Sequence, residues 1–146
     1  MYGDTEAIRG LAGTLRGHGA AISAEADVLS GRAEATPWLG LAAEAMRLRV
    51  QTQTLALRRT AQLHEDAAMA LEWHADAVDR LKALIAAIER KVLALVQAAR
   101  SRLSGLVEAV VPDPVDELLA RFVPPPSGHR DWLNVDLPHL DLGGLS

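Results

Sequence analysis

Along the first part of the chain the large apolar residues recur at seven-residue intervals. Ile8, Leu15, Ile22 and Leu29 share one face of a helix predicted over about residues 4 to 30. Leu11 and Val28 widen that face, and Ala12, Gly19 and Ala26 flank it. Asp4 suits the N-cap, with Glu6 in the first turn, and Gly31 suits the C-terminal cap. Gly10, Gly13, Gly17 and Gly19 weaken such a helix, each by about 1 kcal/mol relative to Ala. Packing must therefore hold it, and the small residues beside the stripe would let a second helix approach closely.

The second apolar pattern begins near Thr36, Pro37 or Gly40. Thr36 followed by Pro37 has the N-cap and first-turn chemistry of a helix start. Residues 41–104 contain neither Gly nor Pro. A continuous helix over them would be about 95 Å long at 1.5 Å per residue. Leu41, Leu48 and Leu55 share a face, which turns polar or small around 58–68. Apolar residues then resume at near-heptad spacing: Leu71, Val78, Leu81, Ile85, Ile88, Val92 and Leu95, then Ala99, Leu103 and Leu106. The first helix is too short to cover the seam from 78 to 106. An uncovered stripe of that size implies a partner, self-association or a chain reversal near 58–68. No turn residue marks a reversal, so a partner is favoured.

The C-terminal part changes character. Gly105 and Pro112 end the long run, and Asp113-Pro114 starts a short helix over PVDELLARF. VPPPSGHR follows as a stiff polyproline-like linker. In the last segment Leu133, Val135 and Leu137 alternate with polar residues, beside Trp132. This predicts an extended tail in which Trp132, Leu133, Val135 and Leu137 form a binding element for a surface or sheet edge. The division expected is a helical hairpin over 1–111, then a short helix and Pro-rich tail over 112–146. No internal repeat accompanies the shared heptad period.

Composition narrows the chemistry. Apolar residues make up 49% of the 146, mostly Ala, Leu and Val, with only 3% aromatic, which suits close-packed helices better than a deep pocket. The formal net charge of −4 advertises no nucleic-acid surface, and the arginines lie among acids. The absence of cysteine excludes disulfides and thiolate catalysis. HEDAA at 64–68 opens like a zinc-protease helix but has Ala68 where a second histidine is needed, so no metal or other cofactor is expected. No nucleophile elbow or phosphate loop occurs. These readings point away from an enzyme. No apolar run reaches the roughly 20 residues that span a bilayer, and the N-terminus has no signal-peptide pattern. Membrane contact is not expected.

One feature exceeds a generic hairpin. Trp38-Leu39-Gly40 stands at the turn, and Ala42-Ala43-x-Ala45-Met46-Arg47 follows. A tryptophan there could cap the open end of a small-residue helix pair, and glycine permits close backbone approach. The pattern resembles the Trp-X-Gly (WXG) family of small helical proteins associated with type VII (ESX) secretion in actinobacteria and related bacteria, over about residues 4–96. The resemblance implies an all-α antiparallel helix-turn-helix hairpin, here with a very long second helix and a Pro-rich C-terminal tail, assembling as a four-helix bundle. It implies a non-enzymatic export substrate or adaptor, cytoplasmic before export and then secreted or at the cell surface without a signal peptide. Its partners would be the type VII machinery and either a second copy, another WXG-like protein or a toxin. The candidate hairpin and partner interface is then Ile8, Leu15, Ile22, Leu29, Leu41, Leu48, Leu55, Val78, Leu81, Ile85, Ile88, Val92 and Leu95. The chain departs from the family in its greater length and in its single tyrosine. Tyr2 with Glu6 matches the family's Tyr-x-x-x-Asp/Glu export string, but at the opposite end. The alternative is a cytosolic coiled-coil scaffold or chaperone without a link to export.

Overall fold

The computed structural model describes residues 3–108 and 110–143, so the Tyr2 half of the Tyr2/Glu6 string lies outside the described residues. The described residues form three α-helices and one 3-10 helix, with no strand among them. Helix α1 spans Thr5–Ala35, α2 Leu41–Ser104 and α3 Pro114–Ala120, and the 3-10 helix spans Arg130–Asn134. Asp4 caps α1 by accepting from the backbone N–H groups of Glu6 and Ala7 at 3.0 and 3.1 Å. The helix runs through Gly31, expected as its cap, and ends at Ala35. Thr36 is its C-cap, with ψ 119°, and donates its hydroxyl to the Arg32 carbonyl at 2.8 Å. Thr36 therefore closes α1 rather than opening α2. Pro37 is the cause, since the residue before proline is pushed out of the helical region. Helix α2 is continuous over 64 residues, without a break at 58–68.

The chain forms two compact units, one of residues 4–77 and a second that runs from Val78 onward and includes Gly3. In the first unit α1 lies antiparallel to the N-terminal half of α2. The cross-helix pairs fix the direction: Arg9 with Asp76, Arg16 with Glu65 and Glu72, and Arg58 with Asp27. The buried residues of α1 are Thr5, Ala12, Gly19, Ala26 and Ala33, each seven after the last. Those of α2 in this unit are Ala43, Thr54, Ala68 and Ala75. The seam is thus made of small residues, and the helices approach closely along it. A Cβ placed on Gly19 would lie 3.0 Å from the Ala61 carbonyl oxygen and 3.3 Å from His64 Cβ. Ile8, Leu15, Ile22 and Leu29 are half-buried beside this seam rather than at its centre.

The second unit packs the C-terminal segment on the other half of α2. Ile85, Ile88, Val92 and Val96 form its core together with Trp132. Leu81, Leu84, Phe122, Val135, Leu137 and Leu140 pack around them. The chain itself therefore covers the seam from Leu81 to Val96, while Leu106 at its end remains exposed. The surface on which the last segment lies is thus α2 of the same chain, and the seam from Leu81 to Val96 is not left uncovered as the sequence suggested. Trp132 is 1% exposed, and its Nε1–H donates to the Pro126 carbonyl at 2.9 Å. The proline linker has its turn at Gly128, with φ 70°, whose N–H donates to Glu89 at 3.1 Å. Asp113 caps α3 by accepting from the Val115 N–H, and Asp116 holds Arg102 of α2 at 2.6–3.1 Å.

Candidate interaction surfaces

The turn is built by two residues. Gly40 has φ 100°, a left-handed conformation that side chains other than glycine adopt at a cost, and its carbonyl accepts from the Glu44 N–H at 3.1 Å. Arg47, in the second turn of α2, reaches back and donates Nη2 to the carbonyls of Thr36 and Trp38 at 3.0 and 2.7 Å. These carbonyls follow the last turn of α1, where a helix dipole favours a cation. In the sequence Arg47 stands out only as the end of the Ala42-Ala43-x-Ala45-Met46-Arg47 pattern, with no role assigned to it. Its position two helical turns after the glycine was the available signal.

The Trp38 side chain does not close the hairpin. It is 62% exposed, beside Leu39 at 94% and Leu41 at 86%. The turn is held through backbone carbonyls, which leaves the ring facing solvent. The expectation that the ring caps the helix pair is therefore corrected.

Leu48 and Leu55 are also exposed, so the face shared by Leu41, Leu48 and Leu55 is not the hairpin seam. Leu63 and Trp73, which the sequence reading did not single out, are exposed as well. At about 100° per residue, these five lie within about 80° of one another. They sit on the side of α2 roughly opposite Ala43, Thr54, Ala68 and Ala75. The physical reason is size. Two helix backbones approach closely only where alanine, glycine or threonine faces the partner helix, so the leucines are left outside. The result is an apolar stripe in the first unit that begins at the turn.

The remaining candidates divide by unit. Ile85, Ile88 and Val92 are fully buried under the C-terminal segment, Leu81 packs against that core, and Val78 and Leu95 are half-buried. Of the tail residues, Trp132, Val135 and Leu137 pack in the same core, while Leu133 remains exposed.

The hairpin holds one ionic cluster. Arg16 donates Nη2 to Glu72 at 2.7 Å and Nε to Glu65 at 2.9 Å, and also bonds Glu72 through Nη1. These bonds hold the Glu72 carboxyl below its ordinary range, against a smaller opposing effect of burial and with help from the charges of Arg16 and Arg9. The Arg16 guanidinium is pushed up in turn. All three side chains are more than a third exposed, so the cluster sets register more than it adds stability. His18 and His64 meet edge to face at 6.3 Å. Among the described residues no group of three or more His, Asp or Glu could hold a metal, and no helix is long and apolar enough to cross a membrane. No protein-family profile matches the chain, and neither a curated protein nor a solved structure matches it.

Proposed function

We propose that this chain is a non-enzymatic substrate or export adaptor of a type VII (ESX) secretion system, acting through helical protein–protein association. The observation that carries the reading is the turn. Trp38-Leu39-Gly40 joins two antiparallel helices, and Trp38, Leu39 and Leu41 are presented to solvent. An exposed apolar patch of this kind, extended along the same side of α2 by Leu48 and Leu55 and, beyond Arg59, by Leu63 and Trp73, marks a protein-binding surface. The association is a dimer, with a second copy, another WXG-like protein or a toxin, and it pairs two hairpins as a four-helix bundle. The interface in this reading is the outer stripe of α2. The protein is cytoplasmic before export.

Export tests the proposal. The tagged chain is followed in culture supernatant from bacteria with and without their type VII ATPase. The reading predicts protein in the medium that disappears with the ATPase, and loss of export for Trp38→Ala. Retention of the chain in the cytosol of both strains would instead support a scaffold unconnected to export.

A further inference from the structure

The string that opens at His64 lacks a second histidine one turn on, because position 68 is Ala. The hairpin supplies one from its other helix. His18 of α1 and His64 of α2 meet edge to face, with ring centroids 6.3 Å apart and ring planes at 74°. They meet where the two helices approach closely. A Cβ placed on Gly19, the neighbour of His18, would lie 3.3 Å from His64 Cβ.

The two rings differ in freedom. His64 is half-buried, and its Nδ1 lies 2.9 Å from the Thr60 carbonyl oxygen. A carbonyl only accepts, so Nδ1 carries the proton and Nε2 of the neutral ring keeps its lone pair. Metal-ligating histidines have this arrangement, the second ring nitrogen donating to a carbonyl or carboxylate. His18 is exposed, and among the described residues its ring nitrogens have no hydrogen-bond or ion-pair partner. One ring is thus oriented and the other is free to turn toward it. Two imidazoles on one ion, with N–metal bonds of about 2.0–2.1 Å, stand roughly 5 Å apart between centroids. A small rotation of the His18 side chain closes the difference.

We propose that His18 and His64 form a site for a divalent late transition-metal ion, Cu2+, Ni2+ or Zn2+, with water completing the coordination. Imidazole suits these ions, whereas Mg2+ and Ca2+ take oxygen ligands. The carboxylates of the ionic cluster are not part of the site, because Arg16 holds both Glu65 and Glu72. The ligands come from different helices, so the ion ties α1 to α2 and stabilises the folded hairpin by mass action. With two protein ligands and open water positions, the ion is exchangeable. The proposal goes beyond the export reading and does not depend on it.

The test uses the full chain without a histidine tag. Ni2+ and Zn2+ are titrated calorimetrically, with Mg2+ as the comparison, and melting is followed with and without each ion. His18→Gln and His64→Gln each remove one ligand. His74→Gln, about 15 Å along α2 from His64, is the control. The expected result is a single Ni2+ or Zn2+ per chain and a melting temperature raised by these ions but not by Mg2+. Either ligand variant should bind about tenfold to a hundredfold more weakly, because one of two linked ligands is lost. His74→Gln should bind as the wild type does. Electron paramagnetic resonance of bound Cu2+ should show two coordinating imidazoles in the wild type and one in each ligand variant. No binding by the wild type, undiminished binding by His18→Gln or His64→Gln, or an equal loss in His74→Gln would overturn the proposal. Melting temperatures without metal separate the loss of a ligand from misfolding.

Discussion

Individual residues separate packing from presentation in the hairpin. Gly19 is required by close approach, because a side chain there would press on the Ala61 carbonyl. Gly13 has open space where a Cβ would go. The two therefore respond oppositely to substitution. Gly19→Val should destabilise the hairpin by about 1–3 kcal/mol through overpacking. Gly13→Ala should stabilise it by about 1 kcal/mol through helix propensity. Urea melts of the two variants check both signs. Trp38 belongs to presentation. With its ring exposed, Trp38→Ala should leave stability within about 0.5 kcal/mol while weakening association. A large fall in melting temperature would show that the ring packs on the hairpin. The sequence reading identified the turn residues correctly by name but misjudged their work. Thr36 and Pro37 look like a helix start, and only the backbone shows that they are a stop.

At the scale of elements, the cross-helix pairs make a pH prediction. Arg16 holds Glu72 below the ordinary carboxyl range by hydrogen bonding, and Arg102 does the same to Asp116. A carboxyl with a lowered native value contributes stability that is complete above its unfolded value, about 4.3 for Glu and 3.9 for Asp. That contribution is lost as pH falls through the lowered native value. Stability should therefore decline below about pH 4, and Arg16→Met should flatten the decline. Denaturant melts across this range test it. A decline of equal steepness in the variant would remove Glu72 as a cause. The C-terminal element makes a larger prediction. Trp132 is fully buried against Ile85, Ile88, Val92 and Val96. Trp132→Ala should cost about 3–5 kcal/mol and release the segment from α2, read as loss of amide-exchange protection over 81–96. The heptad pattern over 78–95 was legible in the sequence. Its cover was not, because three consecutive prolines look like a tail when their role is to aim Trp132 back at the helix.

For the whole molecule, the helical class and the length of α2 followed from periodicity and from the absence of Gly and Pro over 41–104, and the antiparallel hairpin from the resemblance. The choice of faces did not. Periodicity places Leu41, Leu48 and Leu55 on one face as a hairpin or partner interface, but the hairpin seam itself is formed by Ala12, Gly19, Ala26 and Ala33 because they are small. Apolar periodicity marks two faces on such a helix, and size decides which one meets the neighbour. The consequence for assembly is a change of surface. The seam from Leu81 to Val96 is used within the chain, and the exposed side of α2 that carries Leu41, Leu48, Leu55, Leu63 and Trp73 is the one presented. Association through that stripe is the central claim. Light scattering of the purified full chain, alone and with the product of an adjacent gene, tests it most directly, using Leu48→Glu with Leu55→Glu as the comparison. The account predicts a dimeric mass for the wild type in one of the two mixtures and a folded monomer for the variant. A wild-type monomer in both, or a variant that still dimerises, would contradict it.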